Sequence, residues 1–217
     1  MITFAYENIL NLQVDAIVNP AHTSLFAGSG LCGIIHRYAG RELETYCRTL
    51  GTQNYGNVVI TPSFKLTHCK KVIHACGPRW IDGNHNEEAT LETLYTRIIE
   101  LAAQEEITSI AIPAISTGIY SFPFEKATRI ALKTCLEMVE KYPMDLIFVN
   151  SESKKHEGYQ DIYRELSLKQ GNQSWGGVQI KHSRESSARL ISTTADPSTL
   201  KVLSCIFSKP SAVTTDD

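Results

Sequence analysis

Short unbroken apolar runs alternate along this chain with longer stretches whose apolar residues recur at helical spacing. That alternation narrows the possible folds more than any other feature. Asp15–Asn19, Asn57–Thr61, Lys71–Ala75, Ser109–Pro113 and Asp145–Val149 read as strands. Between them, Gly30 to about Leu50 reads as one helix, with Ile34, Ile35, Tyr38, Leu43 and Tyr46 as its apolar side. Glu87–Glu105 carries Leu91, Leu94, Ile98, Leu101 and Ala102 on one face, and Phe124–Lys141 carries Ala127, Ile130, Ala131, Thr134 and Met138. A weaker helix is expected from about Gly158 to Lys169. Strands that are apolar throughout, rather than at every second residue, are buried on both faces. The expected fold is therefore an α/β domain with a largely parallel sheet covered by helices on both sides. Such sheets bind ligands beyond the carboxyl ends of their strands, which directs attention to the loops after Asn19 and after Pro113.

Both loops run from a strand into a helix. The first spans residues 19–33 and carries Gly28, Gly30 and Gly33; the second spans residues 114–123 and carries Ser116, Thr117 and Gly118 near its start. Glycine lets a backbone approach a ligand closely, and a helix N-terminus offers free N–H groups to phosphate. Two such loops facing each other can grip a diphosphate without a basic side chain. Neither standard nucleotide pattern is present. The chain has no G-x-x-x-x-G-K-[ST]. Gly28, Gly30 and Gly33 do fall at G-x-G-x-x-G spacing, but no acidic residue follows about 20 residues later at a strand end. That disfavours a conventional dinucleotide oxidoreductase.

The charge balance agrees with a site built from main chain. The 217 residues include 21 basic and 23 acidic ones, a net charge of −2, which argues against nucleic acid as a partner. Cys32, Cys47, Cys69, Cys76, Cys135 and Cys205 are irregularly spaced, and reduced thiols in the cytoplasm are the simpler expectation for a domain of this size. MITFAYENIL lacks a basic segment followed by a long apolar one, and no run approaches the length needed to cross a bilayer. His68, Cys69, His74 and Cys76 lack zinc-finger spacing and are read as structural, so neither a metal nor a cofactor is expected. From Gly171 the composition shifts toward Ser and Thr, with short apolar pieces at 178–180 and 202–203. Residues 1–170 are read as the domain and 171–217 as a C-terminal extension of unknown role.

Five motifs in order carry a family resemblance. They are Asp15–His22, Gly28-Ser-Gly30, His36–Gly40, Val72–Pro78 and Ile112–Pro123, and together they resemble the macrodomain family, most nearly its MacroD-type branch. The resemblance covers about Ile2 to Leu168. It implies a three-layer α/β/α fold with a mixed, mainly parallel central sheet, a monomer, and ADP-ribose or an ADP-ribosylated protein as partner. It also implies the contacts. Asn8 stands where the family has an acidic residue at the adenine amine, with Ile9 beside it. Asn19 and the loop residues Ala27, Gly28, Ser29, Gly30 and Leu31 meet the distal ribose and diphosphate. Ser116, Thr117, Gly118, Ile119 and Tyr120 close the other side, and Phe148 or Val149 lies near the adenine. The catalytic positions depart from the branch: His22 replaces its asparagine and Cys32 its aspartate. The expectation is an ADP-ribose reader with at most weak hydrolysis, His22 and Cys32 being the candidate catalytic residues. The alternatives are an active mono-ADP-ribosyl hydrolase and an O-acetyl-ADP-ribose deacetylase.

Overall fold

The computed structural model describes residues 1–170. The apolar pieces noted at 178–180 and 202–203 lie outside the described residues. The order is β1 (Ile2–Tyr6), a short 3₁₀ turn (Ile9–Asn11), β2 (Ala16–Pro20), α1 (Gly30–Ala39), α2 (Arg41–Thr49), β3 (Val58–Pro62), β4 (Lys71–Ala75), α3 (Glu87–Gln104), β5 (Ser109–Ile112), α4 (Phe124–Lys141), β6 (Asp145–Asn150) and α5 (Ser153–Gln170). The strands form one sheet in the order β1-β6-β5-β2-β4-β3. Every pairing is parallel except β3 with β4. This is the three-layer α/β/α arrangement with a mixed, mainly parallel sheet.

The unbroken apolar strands are explained by two cores, one on each face. Along β2, Ala16 and Val18 face the layer of α3, α4 and α5, while Ile17 faces the layer of α1 and α2. β4 and β5 repeat the division, with Ile73, Ala75, Ile110 and Ile112 on the first side and Val72 and Ala111 on the second. Period-two side-chain alternation thus supplies both cores from the same strands.

The expected single helix from Gly30 to Leu50 is two helices. The chain breaks at Gly40, whose φ of +89° suits glycine and whose N–H caps the His36 carbonyl. The break turns the second helix, so the expected apolar side is also corrected. Ile35 and Leu43 are buried, but Ile34, Tyr38 and Tyr46 are exposed, and Cys32, His36, Ala39 and Cys47 take the inward positions. At the amino end of the sheet, Asp15 joins three strands. Its carboxylate accepts from Lys70 Nζ at 2.8 Å, from the Thr108 amide at 3.1 Å and from Thr108 Oγ1 at 2.7 Å. The opposite end is left free for the long loops.

Candidate functional site

A cleft of about 770 Å³ opens beyond the carboxyl ends of β2, β5 and β6. Pro20–Ile34 supplies one wall through twelve of its residues, Pro113–Tyr120 the other; Glu7–Ile9 and Val149–Glu152 with Lys155 close one end. The size suits a ligand the size of a dinucleotide.

The first wall ends in the N-terminus of α1. Ser29 occupies the cap without a side-chain hydrogen bond, and the first turn contains no acidic residue. Its N–H groups are thus left to a ligand, and the helix dipole favours an anion there. Two glycines are required for separate reasons. Gly30 has φ +61°. A Cβ on Gly33 would stand 2.2 Å from the Gly28 carbonyl oxygen. On the second wall Ser116, also at positive φ (+64°), turns the chain sharply. Its carbonyl accepts the Phe122 amide, while its buried hydroxyl has no protein partner. A Cβ on Gly77 would fall 2.3 Å from that hydroxyl, so the Gly77 position is held open for the loop. Tyr120 lines the cleft half-buried, its ring edge-on to Tyr55 at 6.3 Å, and burial raises its hydroxyl pKa.

His22 is exposed and lines the cleft. Its Nδ1 accepts the Ser24 amide N–H at 3.1 Å and lies 2.8 Å from Ser24 Oγ. The neutral ring must then carry its hydrogen on Nε2. It can donate a hydrogen bond but has no free lone pair with which to take a proton. Cys32 lines the cleft from the first turn of α1 and is 6% exposed. Its Sγ lies 3.6 Å from Asn19 Nδ2 and 3.7 Å from the Phe26 carbonyl, so it is tethered within the wall.

Most of the expected contacts meet around this cleft: Asn8, Ile9, His22, Ala27–Cys32 and Ser116–Tyr120. Two do not. Asn19 is fully buried behind the wall. Its Nδ2 donates to His74 Nδ1 at 3.0 Å, and His74 Nε2 meets Thr61 Oγ1 at 3.0 Å. Burial holds His74 neutral by pulling its pKa down to about 3. Phe148 points into the opposite core against Tyr159 and Phe4, and its neighbour Val149 faces the cleft. Residues were also missed. Glu7 lines the cleft, and its Oε1 accepts the Asn8 amide at 2.7 Å and Asn11 Nδ2 at 2.9 Å; the Asn8 bond is the main cause of its lowered pKa. Asn8 Oδ1 caps the Leu10 amide at 3.0 Å. Phe26, Ile34, Gly77, Glu152 and Lys155 also line it. Gly77 had a signal, since it sits inside the Val72–Pro78 motif. Phe26 lies within the loop 19–33 already singled out, whereas Lys155 had no signal.

An α/β sandwich with an anion-ready cleft between two glycine-bearing loops defines a nucleotide-binding class. The comparisons with known proteins narrow it. The Macro domain family model matches residues 18–131. An O-acetyl-ADP-ribose deacetylase of Salmonella newport is 39% identical over 171 residues, covering 76% of this chain and 93% of that protein. The structure of the Oceanobacillus iheyensis macrodomain with ADP superposes with a TM-score of 0.73 at 30% identity, over 76% of this chain and 91% of that one. The Trypanosoma brucei macrodomain in complex with ADP-ribose gives 0.68 at 30% identity, over 74% and 68%. The chain belongs to the macrodomain family.

Proposed function

We propose that the cleft binds ADP-ribose, free or attached to a protein, and that the domain acts mainly as a reader. The uncapped N-terminus of α1 facing the Ser116 loop carries this reading. It presents main-chain donors to a diphosphate from both sides, in a cleft where, among the described residues, the only lysine or arginine is Lys155, itself paired with Glu152 at 2.7 Å. The adenine would lie at the Glu7–Ile9 and Val149 end and the distal ribose near His22 and Tyr120. The relatives with ADP and ADP-ribose support the ligand class. Residues 1–170 supply the described lining of the cleft and would suffice for binding.

Hydrolysis is secondary. Cutting the bond at C1 of the distal ribose needs a positioned water, and a missing general base costs roughly 10² to 10⁴ in rate. His22 acts as a hydrogen-bond donor that orients the ribose, the job an asparagine amide would do. Cys32, tied to Phe26 and Asn19, is no substitute for a carboxylate. The deacetylase name of a 39% identical relative favours one second reading, removal of an acetyl group from O-acetyl-ADP-ribose.

Calorimetry with ADP-ribose tests the main reading. The wild-type chain should bind, and Gly30→Glu, which puts a bulky anion in the diphosphate path, should not. Equal affinity of a folded Gly30→Glu variant would refute the placement. Incubation with a mono-ADP-ribosylated protein and with O-acetyl-ADP-ribose then separates reader, hydrolase and deacetylase.

A further inference from the structure

The end of the cleft that holds His22 and Tyr120 is rimmed by exposed aromatic side chains. Phe26 on the first loop and Tyr55 on the segment after α2 are each 48% exposed. Both rings are held. The Arg48 guanidinium lies 5.8 Å from the centroid of the Phe26 ring, and the Tyr55 ring stands edge-on to Tyr120. The backbone on either side of Tyr55 is pinned as well. The Gln53 amide donates to the Thr23 carbonyl of the first loop at 2.7 Å, and the Gly56 amide to the Cys76 carbonyl at 2.8 Å. An exposed ring on fixed backbone loses little freedom when a partner covers it.

The uncompensated charges beside this rim are positive. Arg97 reaches from α3 to the Tyr55 segment, its Nη1 donating to the Gly56 carbonyl at 2.8 Å and to Asn57 Oδ1 at 2.7 Å. Arg79 adjoins the second loop, where the Trp80 amide donates to the Tyr120 carbonyl at 2.9 Å. Burial raises the Tyr120 hydroxyl pKa, and the Arg79 charge draws it the other way. Both arginines are exposed, and among the described residues neither has a carboxylate partner. Arg48 is paired with Glu44 at 2.9 Å. Asp82, the next carboxylate along the chain from Arg79, is engaged by the Asn84 amide and His85. The carboxylates that line the cleft, Glu7 and Glu152, lie at its other end.

We propose, building on the ADP-ribose reading above, that Phe26, Tyr55, Arg79 and Arg97 form a docking surface for the polypeptide that carries the ADP-ribose, and that it favours acidic residues beside the modified side chain. With the adenine at the Glu7 end, C1 of the distal ribose emerges near His22 and Tyr120. Any polypeptide attached there must cross this rim. The nucleotide is the same on every modified protein, so discrimination between carriers has to come from surface outside the cleft. The two rings pack against an extended segment, and the two arginines pair with its carboxylates. Aromatic and arginine side chains are the ones that concentrate energy in interfaces, and exposed apolar patches of this kind mark them. The bound ADP-ribose tethers the segment, so individually weak contacts act at high effective concentration.

Calorimetry on the full chain compares free ADP-ribose with two conjugates. In each, ADP-ribose is joined through a stable triazole to the centre of a short peptide, flanked by glutamates in one and by serines in the other. Wild type should bind the glutamate conjugate about tenfold more tightly than free ADP-ribose and the serine conjugate by a smaller margin, with the difference between conjugates shrinking as salt is added. Arg79→Glu should erase the preference for glutamate over serine. Tyr55→Ala should bring both conjugates toward free ADP-ribose, and Lys133→Glu on α4 should leave the preference intact. Each value is the ratio of conjugate to free ADP-ribose in the same variant, so a change in the cleft itself cancels. Equal affinity for all three ligands, with ADP-ribose bound, overturns the docking surface alone. So does a glutamate preference that survives in folded Arg79→Glu, or tighter binding of the serine conjugate by wild type. No binding of any of the three overturns the ADP-ribose reading and the docking surface with it.

Discussion

His22 illustrates how one hydrogen bond fixes a chemical role. The Ser24 amide occupies Nδ1, so the ring can donate but not abstract. His22→Asn, which also offers an N–H, should keep ADP-ribose binding and whatever turnover exists. His22→Ala should lower turnover while the Tm holds. A fall in His22→Asn equal to that in His22→Ala would show that imidazole chemistry is needed after all. Asn8 has two duties, since its Oδ1 caps the Leu10 amide and it lines the cleft. Asn8→Leu should cost on the order of 1 kcal/mol in stability from the lost cap and weaken ADP-ribose by a further 1–3 kcal/mol or so. Asn8→Asp should hold both. Calorimetry alongside urea titration separates the two losses, and unchanged affinity in Asn8→Leu would remove it from the site. The family resemblance placed these residues, His22 inside a motif and Asn8 ahead of the first one, but could not show what already bonds to them. Phe148 and Val149 make the same point. A strand alternates its faces, and nothing in an all-apolar run says which face opens on a ligand.

At the scale of elements, the strand–loop–helix joints were legible because glycine and small polar residues interrupt periodic segments. The turn at Gly40 was not, because α1 and α2 both carry helix-compatible sequence up to a single glycine. β1 was missed because its five residues precede any periodic contrast. The loop before α1 is the element most sensitive to small change. Gly33→Ala would drive a methyl to 2.2 Å from the Gly28 carbonyl, and that backbone must yield. The helix itself should tolerate alanine, so circular dichroism should stay native while ADP-ribose affinity falls at least about tenfold, a loss of roughly 1.4 kcal/mol. Native affinity in folded Gly33→Ala would mean that the loop does not hold the diphosphate.

Across the whole molecule, the ends of the sheet divide the work: the carboxyl ends carry the cleft, and the amino ends carry the ties. Among the described residues no helix is long and apolar enough to cross a membrane. Asp15 binds the start of β2 to the segments leading into β4 and β5, and its hydrogen bonds to Lys70 and Thr108 hold its pKa well below the usual aspartate value of 3.8. Glu87 organises the turn before α3. Burial alone would raise its pKa, but the surrounding amide N–H groups win and bring it down to about 2. A carboxylate whose pKa is depressed by folding contributes stability at pH values above its unfolded pKa. That contribution is lost as pH falls through the unfolded value toward the folded one. Urea midpoints should therefore be flat from pH 7 to about 5 and drop between about 4.5 and 2. Asp15→Asn cannot accept the Lys70 and Thr108 bonds as a charge, so it should be less stable than wild type at pH 7 by on the order of 1–3 kcal/mol. It should also lose less on acidification, so that the gap between the two curves narrows as pH falls toward 2. Parallel curves for wild type and Asp15→Asn down to pH 2 would show that the sheet's amino end does not depend on this charge.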